Sequence, residues 1–268
     1  MQAIRVLALA LALSLPFAES GSADQVDEGL AAYARGDFAT ALALLRPHAE
    51  GGDARAQNSI GVLFDHGRGV PPDPVEARKW YLLSAGQGYG AAQFNLGQLY
   101  RLGHGVPMDV AEAGRWYRLA ADQGYAAACF NLGGMYAGGD GVAQDDVEAV
   151  KWYRCAAEQG YAKAQFKLGV MYDFGRGVAQ SDAEAIAWYL RAASQGHATA
   201  QNNLGAIYAD GQGVPQDYVQ AMMWFILAAR GGDPDAPKSI DLARRLMTPG
   251  EIADAQRLAD AWTPQGGV

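Results

Sequence analysis

Residues 124–160 read GYAAACFNLGGMYAGGDGVAQDDVEAVKWYRCAAEQG, and the pattern returns along the chain every 36 residues. Trp80, Trp116, Trp152, Trp188 and Trp224 mark the period, five of the six tryptophans. The same offset relates Gly61, Gly97, Gly133, Gly169 and Gly205, and again Gly69, Gly105, Gly141, Gly177 and Gly213. A third series runs Gly88, Gly124, Gly160, Gly196 and Gly232. No insertion breaks the register between residues 53 and 232, so this segment holds five tandem copies of one supersecondary unit.

Each copy reads as two helices. In the copy containing residues 91–100, Ala92, Leu96, Leu99 and Tyr100 fall at helical spacing on one face of a helix A. Gly103-His104-Gly105 ends it, because glycine reaches positive φ without steric cost. A valine follows each second glycine, Val70 through Val214, and is expected to plug the loop into the core. Helix B starts at Asp73, Asp109, Asp145, Ser181 and Asp217, with Glu76, Glu112, Glu148, Glu184 and Gln220 three residues later. That spacing predicts capping boxes, in which the two side chains exchange bonds with each other's backbone N–H groups. Pro74 suits the first helical position of its copy. Helix B should bury Ala77, Trp80, Tyr81, Ala85 and their copies, small alanines letting helices approach while aromatic rings fill the remaining volume. One such hairpin cannot bury its apolar face alone, whereas stacked copies share a continuous core. The expected fold is therefore all-α, a superhelical solenoid of antiparallel helix pairs.

Both ends depart from the pattern, as units whose outer faces meet water should. Over 24–52 the phase of helix B persists at Asp37, Ala41, Leu44, Leu45, Ala49 and Gly52, but the turn Arg35-Gly36-Asp37 is short, which predicts an N-terminal capping hairpin. Over 233–262 a helix near Ala236 to Met247 precedes a further capping box, Thr248-Pro249-Gly250-Glu251, and a last helix reaching about Trp262. Residues 263–268 read as a flexible tail.

With 21 Lys and Arg against 29 Asp and Glu, the net charge is -8, and no basic run could track a phosphate backbone. Nucleic acid is not an expected partner. Residues 1–23 read as a secretory leader: Arg5, then an apolar stretch from Val6 to Phe17 too short to span a bilayer. Gly21 and Ala23 fit cleavage after Ala23, with Ser20 and Ala18 as a second junction. No cysteine stands there to accept a lipid, and no later apolar run reaches the ~18 residues a membrane span needs. The expected product is a periplasmic or secreted protein, a monomer without an integral membrane span. Cys129 and Cys155 are the only cysteines, too few to frame a chain of this size, although an oxidising compartment permits them to pair.

These residues resemble the Sel-1-like repeat family, related to tetratricopeptide repeats, whose units run roughly A-x-A-Q-x-N-L-G-x-x-Y-x-x-G-x-G-V-x-x-D-x-x-x-A-x-x-W-Y-x-x-A-A-x-x-G. The resemblance covers about residues 24 to 262, and residues 124–160 depart mainly at Cys129, where the family has glutamine. It implies a right-handed superhelix acting as an adaptor, with a peptide or partner protein bound on the concave face of the A helices. In cysteine-rich bacterial relatives, bridges join helix A to helix B within a repeat, with the second cysteine near the phase of Ala157. Cys155 stands two residues earlier, about half a helical turn away, which counts against a bridge here.

Candidate chemistry is sparse. Some secreted relatives have been linked to β-lactam binding or hydrolysis, but no serine here has Ser-x-x-Lys spacing. His48, His66, His104 and His197 occupy unrelated phases and form no metal-ligand pair, and no cofactor motif follows a strand. Asp145 and Asp146 are better explained as a cap and a first-turn residue than as an acid/base pair. The expectation is a binding module and not an enzyme, without metal or cofactor. Its candidate binding residues are Phe94, Phe130 and Phe166, at one phase of three successive A helices, with Gln98, Arg101, Val170 and Asp173 around them. Two settings remain open for the phenylalanines: packed between repeats, or exposed as a ladder on which a peptide or glycan stacks. An envelope glycan or peptidoglycan binder is the alternative function.

Overall fold

In the computed structural model residues 20–264 are described, and every element among them is an α-helix. The chain divides into two compact units, 1–87 and 88–268. The first contains α1 (Ser20–Ala34), α2 (Phe38–Glu50), α3 (Ala54–His66) and α4 (Pro74–Gly86). The second contains α5 (Gly90–Leu102), α6 (Val110–Asp122), α7 (Ala126–Gly138), α8 (Asp146–Glu158), α9 (Ala162–Asp173), α10 (Asp182–Ser194), α11 (Ala198–Asp210), α12 (Tyr218–Arg230), α13 (Ala236–Arg244) and α14 (Pro249–Ala261). Residues 1–19 of the expected leader lie outside the described residues, as do residues 265–268 of the expected tail.

Within each unit the helices up to α13 pack on their sequence neighbours, and α14 folds back onto α12. The fold class is the all-α repeat solenoid. The A helices α3, α5, α7, α9 and α11 bury an alanine and a leucine or isoleucine one turn apart, such as Ala92 with Leu96 and Ala128 with Leu132. The B helices contribute Tyr81, Tyr117, Tyr153, Tyr189 and Phe225, none more than 4% exposed. The tryptophan one residue earlier is less consistent: Trp152, Trp188 and Trp224 are buried, whereas Trp80 and Trp116 are only half-buried. Val70, Val142, Val178 and Val214 pack against the cores from their loops, as expected.

The aromatic ring of helix B lies directly on the backbone of helix A. A Cβ on Gly97 would stand 2.5 Å from the Tyr117 ring, and one on Gly133 2.7 Å from the Tyr153 ring. These glycines sit inside helices, so they are required by close approach and not by backbone conformation. By contrast Gly103, with φ 67°, ends α5 in the left-handed conformation that favours glycine.

The caps of the B helices are half of what the spacing predicts. Asp73, Asp109, Asp145, Ser181 and Asp217 each accept the backbone N–H three residues on. The reciprocal bond is made at Thr248 and Glu251, which form a complete capping box on α14. In the repeats the N-cap N–H is already used by helix A of the same repeat: Asp109 N–H donates to Tyr100 O at 2.9 Å and Asp145 N–H to Tyr136 O at 2.9 Å. The freed carboxylates turn elsewhere. Glu76 pairs with Lys79 and Glu112 with Arg115, while Glu148 accepts from Trp152 Nε1 at 2.9 Å.

Candidate functional site

The three phenylalanines are half-buried and packed, each between the ring of its own helix B and the residue that caps the next helix A. Phe94 lies 5.8 Å from the Tyr117 ring and 5.2 Å from Tyr125, at the start of α7. Phe130 makes the same pair of contacts with Tyr153 and Tyr161, at 5.9 and 5.2 Å. Phe166 meets Tyr189 at 5.9 Å and stacks on His197 at 4.7 Å. Of the two settings left open by the sequence, this is the packed one, although one side of each ring still meets solvent.

His197 is the N-cap of α11, its Nδ1 accepting the Ala200 N–H at 3.2 Å. That bond needs the neutral imidazole. Burial first, with Lys163 and Lys167 adding to it and Asp233 opposing, holds the histidine below its ordinary value of 6.5. A base with a depressed folded pKa contributes stability that is present above the ordinary histidine range and lost as pH falls through the folded pKa. Thermal unfolding across a pH series should therefore show an acid-side loss that His197→Asn, which keeps a capping oxygen, lacks; identical pH curves for the two proteins would rule this out.

The polar candidates hold the buried tyrosines. The Tyr117 hydroxyl donates to Gln98 Oε1, and Arg101 Nε donates to the Tyr117 oxygen at 3.3 Å and to Gln98 at 3.2 Å. The Tyr189 hydroxyl donates to Asp173 Oδ2 at 3.1 Å, and Val170 packs against the same core. Burial raises the pKa of Tyr117, Tyr153 and Tyr189, so each hydroxyl stays protonated, a donor, at neutral pH.

Two of the seven candidates, Arg101 and Phe130, line one open depression of about 560 Å³ with Asn131, Gly134 and Asp140. Gly134 and Asp140 were not singled out by the sequence reading. The signal was present in the phases: Gly134 stands where other repeats carry Val62, Gln98, Val170 and Ala206, and Ala137 where they carry Asp65, Arg101, Asp173 and Ala209. Among the described residues no group of three or more His, Cys, Asp or Glu is placed to hold a metal, and no helix is long and apolar enough to cross a membrane.

The structure joins Cys129 to Cys155 in a disulfide, with Cα atoms 6.0 Å apart. This corrects the expectation drawn from the half-turn offset. Cys129 occupies the phase of Gln57, Gln93, Gln165 and Gln201, whose side chains are buried and aimed at the end of helix B in their own repeat. Gln87, Gln123 and Gln195 donate to Gln57, Gln93 and Gln165, each at 2.8 Å. Cys155 lies one helical turn before Gln159, the counterpart of those donors, and so shares the face that residue 129 confronts. With no amide oxygen at 129, Gln159 Nε2 donates to Cys155 O at 2.9 Å.

The five repeats, at 54–89, 90–125, 126–161, 162–197 and 198–233, match the model of the Sel1 repeat. Among solved structures, the chain is similar to a Sel1 repeat protein from Oxalobacter formigenes, with 33% identity over 91% of this chain and 99% of that one and a TM-score of 0.76. It is also similar to a protective antigen of uropathogenic Escherichia coli displaying an SLR fold, with 30% identity, a TM-score of 0.61, and 90% of this chain and 61% of that chain covered. None of the curated proteins matches it in sequence. The matched repeats span most of the chain, in unbroken register and with each helix pair where the period requires it, and the protein belongs to the Sel1 repeat family.

Proposed function

We propose that this protein is an exported, non-catalytic scaffold that holds a peptide or partner protein on the exposed face of its A helices. Sel1 repeats are generally protein-interaction scaffolds. The observation that carries the reading here is the depression over α7, an opening of about 560 Å³ whose lining combines a cation, an aromatic ring, an amide and a carboxylate. Mixed linings of this kind anchor a partner through a ring and paired polar groups. Of the carboxylates at the start of α8, Asp145 caps the helix and Asp146 is held by Arg176 at 2.8 Å. Export is supported by the leader-like first residues and by the pairing of Cys129 with Cys155, a bond that persists in oxidising compartments.

A photo-crosslinking residue placed at Asp140, exposed beside the depression, should capture a defined protein in living cells of the source organism. The same residue at Leu190, exposed on helix B, should not. Equal capture at both positions, or none at Asp140, would exclude the A-helix face as the binding surface. Retention of the protein by purified cell wall without any protein crosslink would favour a glycan ligand instead.

A further inference from the structure

The repeats end at residue 233, after which α13 and α14 fold onto α12. The unit that ends a solenoid ordinarily turns a polar face to water, because no further copy covers it. On α13 that rule is broken: Leu242 and Leu246, one turn apart, are 54% and 64% exposed. Single exposed leucines are ordinary, but these two edge a pit of about 250 Å³ whose other walls include Ala206, Ala209 and Asp210 of α11 and Phe225 of α12. The pit exists because the α11 wall is built from small residues. Ala206 and Ala209 stand where α5 carries Gln98 and Arg101 and α9 carries Val170 and Asp173.

Asp210 is the one charged residue in that lining, and among the described residues its carboxylate pairs with no cation. It is also the last residue of α11, where the negative pole of a helix disfavours a carboxylate and favours a cation. On α13 the matching cation is present but does not reach it. Arg245, three residues after Leu242 and next to Leu246, is exposed and pairs with no carboxylate among the described residues, while Arg244 turns to Asp241 at 3.6 Å. The same end of the protein thus carries a hole and the leucines to fill one, an unpaired carboxylate and an unpaired guanidinium.

We propose, against the monomer expected from the sequence, that this face docks a second copy of the chain about a two-fold axis, each copy seating Leu246 in the other's pit and Arg245 on the other's Asp210. A two-fold contact joins one patch to itself, so the patch must hold both halves of every interaction it makes. This one does, in shape and in charge. A segment of an unrelated protein would use the pit and Asp210 but leave Leu242, Leu246 and Arg245 without a role, which is why the second copy is the occupant. The docking face lies on α11, α12 and α13, separate from the depression over α7.

The test is sedimentation equilibrium of the purified mature protein over about 1–100 µM, the range in which a small interface should assemble. The mean mass should climb from that of the monomer toward twice that value. Leu242→Gln/Leu246→Gln should stay monomeric throughout, with the unfolding midpoint of the dilute wild type, because both side chains are exposed in the single chain. Asp210→Arg and Arg245→Asp should each weaken association about tenfold, two copies of the ion pair being lost at once. The double variant Asp210→Arg/Arg245→Asp restores the pair in reversed sense and should associate more tightly than either single variant. A wild-type protein that remains monomeric at the highest concentration would overturn the proposal and leave the pit to a different partner. Association undiminished in the leucine variant, or a double variant no tighter than the single ones, would overturn it as well.

Discussion

Gly97→Val is expected to destabilise the protein by about 2–3 kcal/mol, although helix propensity alone predicts the opposite sign. Glycine inside a helix costs roughly 1 kcal/mol relative to alanine, so adding a side chain at an unconstrained site should stabilise. At Gly97 the added Cβ would lie 2.5 Å from a ring carbon of Tyr117, itself fully buried. A rigid ring in a close-packed core cannot yield by rotating a flexible end, and overpacking of this kind costs about 1–3 kcal/mol, occasionally more. Valine adds two methyl groups beyond that first contact, so packing outweighs propensity. Gly86→Ala is the control: a Cβ there meets nothing within 4 Å, and this substitution should be neutral or gain up to about 1 kcal/mol. Denaturant unfolding of both variants decides the matter, and equal stabilisation by the two would mean that the Tyr117 ring does not depend on the bare backbone of α5.

That contrast shows what the period of the sequence does and does not convey. The five phases of glycine, tryptophan and helix-B cap were enough to place every repeat helix, because each is a local signal: a helix stop, a buried ring, a side chain accepting a backbone N–H. What the phases could not convey is which partner a recurring residue meets. Gly97 and its copies recur as faithfully as Gly105, yet one is required by a ring from the next helix and the other by a positive φ. The capping boxes lost their second bond for the same reason. The N–H that Glu112 would have taken is used by Tyr100 O, a contact between helices that the capping pattern within one helix does not contain. Phe94, Phe130 and Phe166 were visible as a set, but the residues that half-cover them, Tyr125, Tyr161 and His197, close the same repeats at the far end, as N-caps of the next A helices. The opening over α7 was legible only as a difference between copies, at Gly134 and Ala137.

Reduction of the Cys129–Cys155 bond should lower stability by about 3–4 kcal/mol, the chain-entropy cost of releasing a loop with a sequence separation of 26 residues. The wild-type unfolding midpoint should fall on adding reductant to the level of Cys129→Ser/Cys155→Ser, and the double mutant should not respond. An unmoved wild-type midpoint would mean that the thiols are not paired in solution. The sister repeats supply a sharper comparison. Cys129→Gln/Cys155→Leu installs the residues found at Gln93 and Leu119, so the amide at 129 becomes free to accept from Gln159 and to donate to Ala121 O, as Gln165 donates to Ala157 O at 3.1 Å. Two such hydrogen bonds are worth about 1–3 kcal/mol together, which recovers part but not all of what the covalent link provides. The repeat would then be held as its neighbours are, and would no longer sense the redox state of its surroundings. The bridge therefore replaces a glutamine–glutamine hydrogen bond that three of the other four repeats make, and it does so in the repeat whose helix A is bare at Gly134 and Ala137. A covalent tie between α7 and α8 keeps Phe130 and Tyr153 in register where the side chains that pin the neighbouring tyrosines are absent.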